Sequence, residues 1–378
     1  MQMLRRTTDP LSQLSDSGVS LWLDDLSRHR LRSGSLKELI ATKRVVGVTT
    51  DPTTFQTALQ DDAGYRQQIS ELAARGATVD DILWALMTDD VRDASDLFSA
   101  VYSRTHGVDG RVCICGDPRL AYEIDATIEQ AQELFKVIER NNILITIPAT
   151  LPGLHAITAA VATGISVNAS LIFSLERYSA VMDAYQAGLE QAISSGHDLS
   201  QIHSVATFFP SQVDNEVDHR LQSIGSSAAE GLLSRAGIAS ARLAYQAYEQ
   251  TFAGRRWEAL AKAGARKQRP LWASTGVQGS YQDETRYVAE LVAPGTATAA
   301  AECTINSVAK YGAIRGDIMI GDYTDAAEVF GDLHAIGIDL GDVFAVLETE
   351  SVKRFERAWI ELREAVGKHM VRQHAAYR

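Results

Sequence analysis

The stretch Ile143-Leu-Ile-Thr-Ile-Pro-Ala-Thr-Leu-Pro-Gly-Leu-His-Ala-Ile-Thr-Ala-Ala-Val-Ala-Thr-Gly-Ile-Ser-Val-Asn-Ala-Ser170 holds two short apolar runs, Ile143 to Ile147 and Ser166 to Ser170, on either side of a longer segment. Such near-continuous runs suit strands covered on both faces, as parallel strands are, and the longer segment between them has helical length. Its most apolar part, Ala156 to Val167, is interrupted by Thr158, Thr163, Gly164 and Ser166 and is too short to cross a bilayer.

Outward from this unit the same pattern recurs at Val19 to Asp24, Val45 to Thr50, Val112 to Cys115, His203 to Thr207, Leu271 to Thr275 and Tyr287 to Val292. With the two runs above, these make eight strand-plus-helix repeats. Eight such repeats predict an α/β chain of one domain over 1–378, a TIM (β/α)8 barrel with additional helices. Pro118 to Glu139, Leu175 to Ile193 and Ser227 to Phe252 read as outer helices, the first with acidic residues early and Lys136 and Arg140 late. A helical insertion at about 56–109 carries Ile82, Leu83, Ala85 and Leu86. Helices at about 298–370, namely Thr298 to Lys310, Asp325 to Ile336 and Leu340 to Met370, follow the last strand.

Of 378 residues 46% are hydrophobic and 22% charged, which is ordinary for a soluble globular chain. The net charge of -12 repels nucleic acid and anionic membranes and argues against both as partners. Three cysteines, Cys113, Cys115 and Cys303, offer no disulfide framework, and Met1 to Ser20 lacks the apolar stretch of a secretory signal, so a cytoplasmic setting is expected. Neither a metal cluster nor a dinucleotide or phosphate loop appears, so no cofactor is expected. A small molecule is the expected partner, and a homodimer is the default assembly.

The strand ends Ser20-Leu-Trp-Leu-Asp-Asp-Leu-Ser-Arg28, Val45-Val-Gly-Val-Thr-Thr-Asp-Pro52, Ile147-Pro-Ala-Thr150 and Asn168-Ala-Ser-Leu-Ile-Phe-Ser-Leu-Glu-Arg177 are followed by His203-Ser-Val-Ala-Thr-Phe-Phe209, Arg269-Pro-Leu-Trp-Ala-Ser-Thr-Gly276, Glu290-Leu-Val-Ala-Pro-Gly-Thr296 and Arg315-Gly-Asp317. This ordered series, covering nearly the whole chain, resembles transaldolases of the longer bacterial type. The resemblance implies a lysine at the end of the fourth strand that forms an imine with a ketose phosphate, and transfer of a three-carbon unit to an aldose acceptor. The imine is the electron sink for the carbanion.

Aligned on those motifs, the family's lysine position holds Thr146, its third-strand glutamate position Cys115, and its second-strand Thr-Asn-Pro reads Thr50-Asp51-Pro52. The resemblance makes Asp24, Asp51, Cys115 and Thr146 the catalytic candidates. Asn168, Ser170, Thr207, Phe209, Gln212, Ser274 and Gln278 are then the substrate-binding candidates, with Gln212 and Gln278 where the family keeps cations for phosphate. Plainer readings stand beside these: Thr146 fills barrel space as a β-branched residue, Cys115 is a small buried hydrophobe, Asp51 serves the turn before Pro52, and Asp24 caps the next helix. Two carboxyl groups at one barrel mouth push one pKa upward, which gives an acid and a base.

Three functions follow as expectations. The first is an enzyme repurposed for imine-independent carbonyl or carbon-carbon chemistry, such as aldol-type cyclisation, isomerisation or elimination, on a neutral, non-phosphorylated substrate in bacterial specialised metabolism. A non-catalytic binding protein on the same scaffold is the second. The third is a true transaldolase with a relocated lysine, against which Lys43 and Lys267 precede strands and Lys136, Lys262, Lys310 and Lys353 fall in helical segments.

Overall fold

Successive strand side chains alternate between the inside of a barrel and the helices outside it, so each strand serves two cores. In a computed structural model, which describes residues 9–61, 64–276 and 283–376, the strands are β1 (Ser20–Leu23), β2 (Val45–Val48), β3 (Arg111–Cys115), β4 (Ile143–Pro148), β5 (Val167–Ile172), β6 (Ser204–Phe208), β7 (Arg269–Trp272) and β8 (Ala297–Ala300). They close in sequence order with every neighbouring pair parallel, forming a TIM (β/α)8 barrel. Inside it lie Trp22, Cys113, Leu144, Val205, Leu271, Ala297 and Ala299, while the larger core sits between strands and helices.

The eighth strand corrects the sequence reading. Tyr287 to Val292 is not a strand: Arg286–Ala289 is a short helix, and the buried Tyr287 hydroxyl donates to Asp214 at 2.6 Å. The strand is Ala297–Ala300, whose alanines read as helix formers. Its small residues have a packing reason. Trp22 pairs in register with Ala299 and fills the barrel interior beside it, so a large residue there would overpack the core. The same ring explains Gly47 on β2, where a Cβ would stand 2.6 Å from a Trp22 ring carbon.

Two helix readings change as well. Pro118 to Glu139 is not one helix; a single turn at Pro118–Leu120, capped by Asp117, precedes the helix Ile124–Ile138. Ser227 to Phe252 divides into Ser227–Glu230 and Ala236–Thr251, and Ser234 between them takes a left-handed φ of 58°. The segment after β2 folds as Pro52–Asp61, Gly64–Ala74 and Val79–Arg104, the last opened by a reciprocal cap between Thr78 and Asp81. A buried Arg28–Asp90 ion pair at 2.7 Å, with the Tyr65 hydroxyl donating to Asp90 at 2.7 Å, ties this layer to the first strand's loop.

Behind β8 come Glu302–Tyr311, Tyr323–Ala335 and the long C-terminal helix Leu340–Ala376. The C-terminal helix packs on the helices after β2 and on Pro210–Ile224. Trp359, 1% exposed, meets Trp84 edge-on at 6.2 Å and anchors it. Ion pairs to three separate elements, Arg177–Glu348, Arg220–Asp342 and Arg363–Asp80, bind it across the C-terminal end of the barrel. No helix among the described residues is long and apolar enough to cross a membrane.

Candidate active site

A cavity of about 370 Å³ opens where the C-terminal strand ends converge. Asp24, Asp51, Cys115, Thr146, Asn168, Ser170, Thr207, Phe209, Gln212 and Ser274 all line it, and Gln278 lies outside the described residues. Strand register brings the floor together: Cys115 pairs with Thr146 and Thr146 with Asn168 on adjacent strands, so their side chains share the inward face.

Hydrogen bonds order this floor. The Thr207 hydroxyl donates to Asn168 Oδ1 at 2.6 Å, and Asn168 Nδ2 donates to Thr146 Oγ1 at 3.2 Å. Because Thr146 accepts in that chain, its own proton points to another acceptor. The Ser170 hydroxyl is buried without a hydrogen-bond partner among the described residues, which leaves it for a ligand. Register slips between Ala169 and Ile172, and Leu171 adopts φ 59°, so the end of β5 carries the irregularity that aims these polar groups. Ser274 is also left-handed, at φ 51°, and its Oγ lies 2.9 Å from Ser211 Oγ.

The cap reading of Asp24 does not hold. Ser27 caps the helix Arg28–Ser33 and Asp25 pairs with Arg30 at 2.7 Å, which leaves the Asp24 carboxyl to the cavity. Burial first, then the charges of Asp25 and Asp51, push its pKa up to about 7. Asp51 has both roles at once: it lines the cavity, and its carboxylate accepts from Thr54 N–H at 2.8 Å. Burial pushes the Cys115 thiol up to about 12, with the Asp51 charge adding to it, so Cys115 stands as a neutral thiol at neutral pH. Cys113 is fully buried one pleat deeper and shifts the same way. Among the described residues no three histidine, cysteine or acidic side chains are grouped to hold a metal ion.

The rim contains a residue the sequence reading missed. Arg354, from the C-terminal helix, is the one basic side chain lining the cavity among the described residues, next to Phe355. Gln212 Oε1 accepts from Ser351 Oγ at 3.3 Å and from Arg354 Nη2 at 3.4 Å. A rim judged only from the loops after β6 and β7 lacks cations; the cation arrives from a helix about a hundred and forty positions beyond Gln212.

Residues 21–366 match the family model described as Transaldolase/Fructose-6-phosphate aldolase. The chain belongs to the transaldolase family. Proteins named transaldolase from Mycolicibacterium paratuberculosis and Mycolicibacterium smegmatis are each 56% identical to it, over 95% and 94% of this chain and 97% and 96% of their own lengths. One of the same name from Mycobacterium tuberculosis is 55% identical over 95% of this chain and 97% of its own.

These transaldolase relatives overturn the first functional expectation. An enzyme repurposed for imine-independent chemistry on a neutral substrate, in specialised metabolism, is not what 55–56% identity over nearly the whole chain supports; the expectation of a transaldolase is. The neutral substrate followed from Gln212 and Gln278 alone and left out Arg354, a cation at the same cavity. Thr146, which the sequence reading aligns with the family's lysine, lines the cavity, and none of the chain's eight lysines, Lys37, Lys43, Lys136, Lys262, Lys267, Lys310, Lys353 and Lys368, is among the described residues that line it.

Proposed function

We propose that the chain works as a transaldolase on a phosphorylated ketose, passing a short carbon unit to an aldose phosphate by cleaving and re-forming an aldol bond. The observation that carries this reading is Asp24, a carboxyl at the barrel mouth with a pKa near 7. Cleavage requires removal of a proton from the ketose hydroxyl: the C–C bond breaks, its electron pair passes toward the carbonyl end, and an aldehyde leaves. Addition reverses this, and the new alkoxide takes the proton back. A carboxyl that exchanges its proton near neutrality serves both directions.

Around it, Thr146, Asn168, Thr207 and Ser170 offer the donors and acceptors that a polyhydroxylated substrate needs. Cys115 contributes a neutral polarisable wall at the family's glutamate position, and Phe209 an aromatic side. With a threonine at 146, the imine-forming amine has to come from elsewhere in the chain. Lys353, the chain neighbour of cavity-lining Arg354 and paired with Glu350 at 3.0 Å, is the first lysine to examine.

The test uses the full chain with fructose 6-phosphate and an aldose phosphate acceptor, following carbon transfer, and in parallel treats the donor complex with borohydride. Transfer with one reduced adduct, located on a lysine by peptide mapping, is expected. Transfer without an adduct keeps the reaction and removes the lysine; the absence of both transfer and adduct overturns the reading.

A further inference from the structure

We infer that Arg354 of the C-terminal helix is the phosphate-binding cation of this site, with Gln212 completing the subsite. The inference rests on the sugar-phosphate reading above. In a chain with 48 acidic and 36 basic residues, an arginine is easily matched with a carboxylate, and Arg177, Arg220 and Arg363 along this same helix interface all are. Arg354 is not: among the described residues it makes no ion pair, and its one hydrogen bond is the long one to Gln212. Most of its five N–H donors therefore remain for a ligand.

The neighbours fit the same ligand. Gln212 spends its carbonyl oxygen on Ser351 and Arg354, so its NH2 is the end left to donate. Ser274, which also lines the cavity, is held by Ser211: the Ser211 hydroxyl donates its one proton to the Ser274 carbonyl at 2.5 Å, so the Ser274 hydroxyl donates to Ser211 Oγ at 2.9 Å and that left-handed turn is fixed from both sides. The carboxylate of Asp51 is near enough to act on the charge of Arg354. It is engaged by Thr54 N–H, and it sets the side of the guanidinium that a dianion avoids. A planar fork with free donors and one amide make a phosphate site.

Calorimetric titration of the full chain with fructose 6-phosphate, fructose and inorganic phosphate tests this. Arg354→Gln is expected to weaken fructose 6-phosphate by roughly ten- to a hundredfold, the loss typical of a charged hydrogen-bonded contact, and to leave fructose as it was. Arg354→Lys should recover part of the difference, because it restores charge without the fork. Arg357→Gln, which removes the same charge from an exposed position of the same helix outside the cavity, should match the wild type. Melting temperatures check that each variant is folded. Wild-type binding of the sugar phosphate with equal affinity in Arg354→Gln overturns the assignment of Arg354 alone, as does an equal loss in Arg357→Gln. A wild type that binds neither fructose 6-phosphate nor inorganic phosphate overturns the transaldolase reading, and this inference with it.

Discussion

The floor of the cavity is made of strand ends, whereas its rim is borrowed from a helix that returns from the far end of the chain. On the floor, Thr146, Asn168 and Thr207 are fixed by the barrel ladder and by each other's hydrogen bonds. At the rim, Gln212 and Arg354 hold each other at 3.4 Å, and Arg354 depends on the anchorage of Leu340–Ala376. A site built in this way separates two tasks physically. In the proposed reaction, proton transfer falls to rigid elements, where small misplacement is costly, and charge recognition to a strapped helix.

The largest effect is expected on the floor. Asp24→Asn should lower the rate of carbon transfer by about 10²–10⁴-fold, the range for loss of a positioned acid-base group, with fructose 6-phosphate affinity nearly unchanged. In the wild type, kcat/KM should show a titration limb near pH 7, where Asp24 passes from protonated below to ionised above, and Asp24→Asn should lack it. The stability sign is opposite to that of a salt-bridged aspartate. The folded-state pKa is raised from 3.8 to about 7, so the folded chain holds the extra proton and this group's contribution to stability falls as pH rises through that window. Substrate affinity lost together with rate would merge floor and rim into one unit.

Trp359→Ala addresses the rim from a distance. Removing a fully buried tryptophan that meets Trp84 should cost about 3–5 kcal/mol of stability. Because Trp359 touches none of the cavity, binding should fall only through Arg354: weaker fructose 6-phosphate, with the pH limb of Asp24 in place. Denaturant melts, calorimetry and a pH-rate profile on the same preparation read all three. A limb displaced by this substitution would show that the helix shapes the floor as well.

The contrast also explains which parts could be read from the sequence. The apolar runs place most of the strands, but Asp24, Cys115, Thr146 and Asn168 are picked out at their ends by the resemblance to transaldolases; the barrel geometry accounts for why those positions face the mouth. The eighth strand, Ala297–Ala300, escaped because its composition answers to Trp22 on the neighbouring strand, a partner that local propensity does not see. Arg354 escaped for a related reason. It sits in a helix crowded with charges, and only the docking of that helix tells Arg354, which lines the cavity, from Arg357, which is exposed like it but does not. Reading the loops alone turned two glutamines into a neutral substrate.

The smallest effect isolates one charge. Asp51 raises the pKa of Asp24, and it also accepts the Thr54 N–H at the start of Pro52–Asp61. Asparagine caps a helix about as well as aspartate does, so Asp51→Asn retains the cap and deletes the charge. With less like charge at the mouth, ionising Asp24 becomes easier, and its limb in kcat/KM should move to lower pH while stability is nearly unchanged. The shift should be modest, because burial stands ahead of both neighbouring carboxylates among the causes. A limb that stays put in Asp51→Asn would mean that the dry floor alone sets the acid-base group, and that the two carboxyls do not work as a pair.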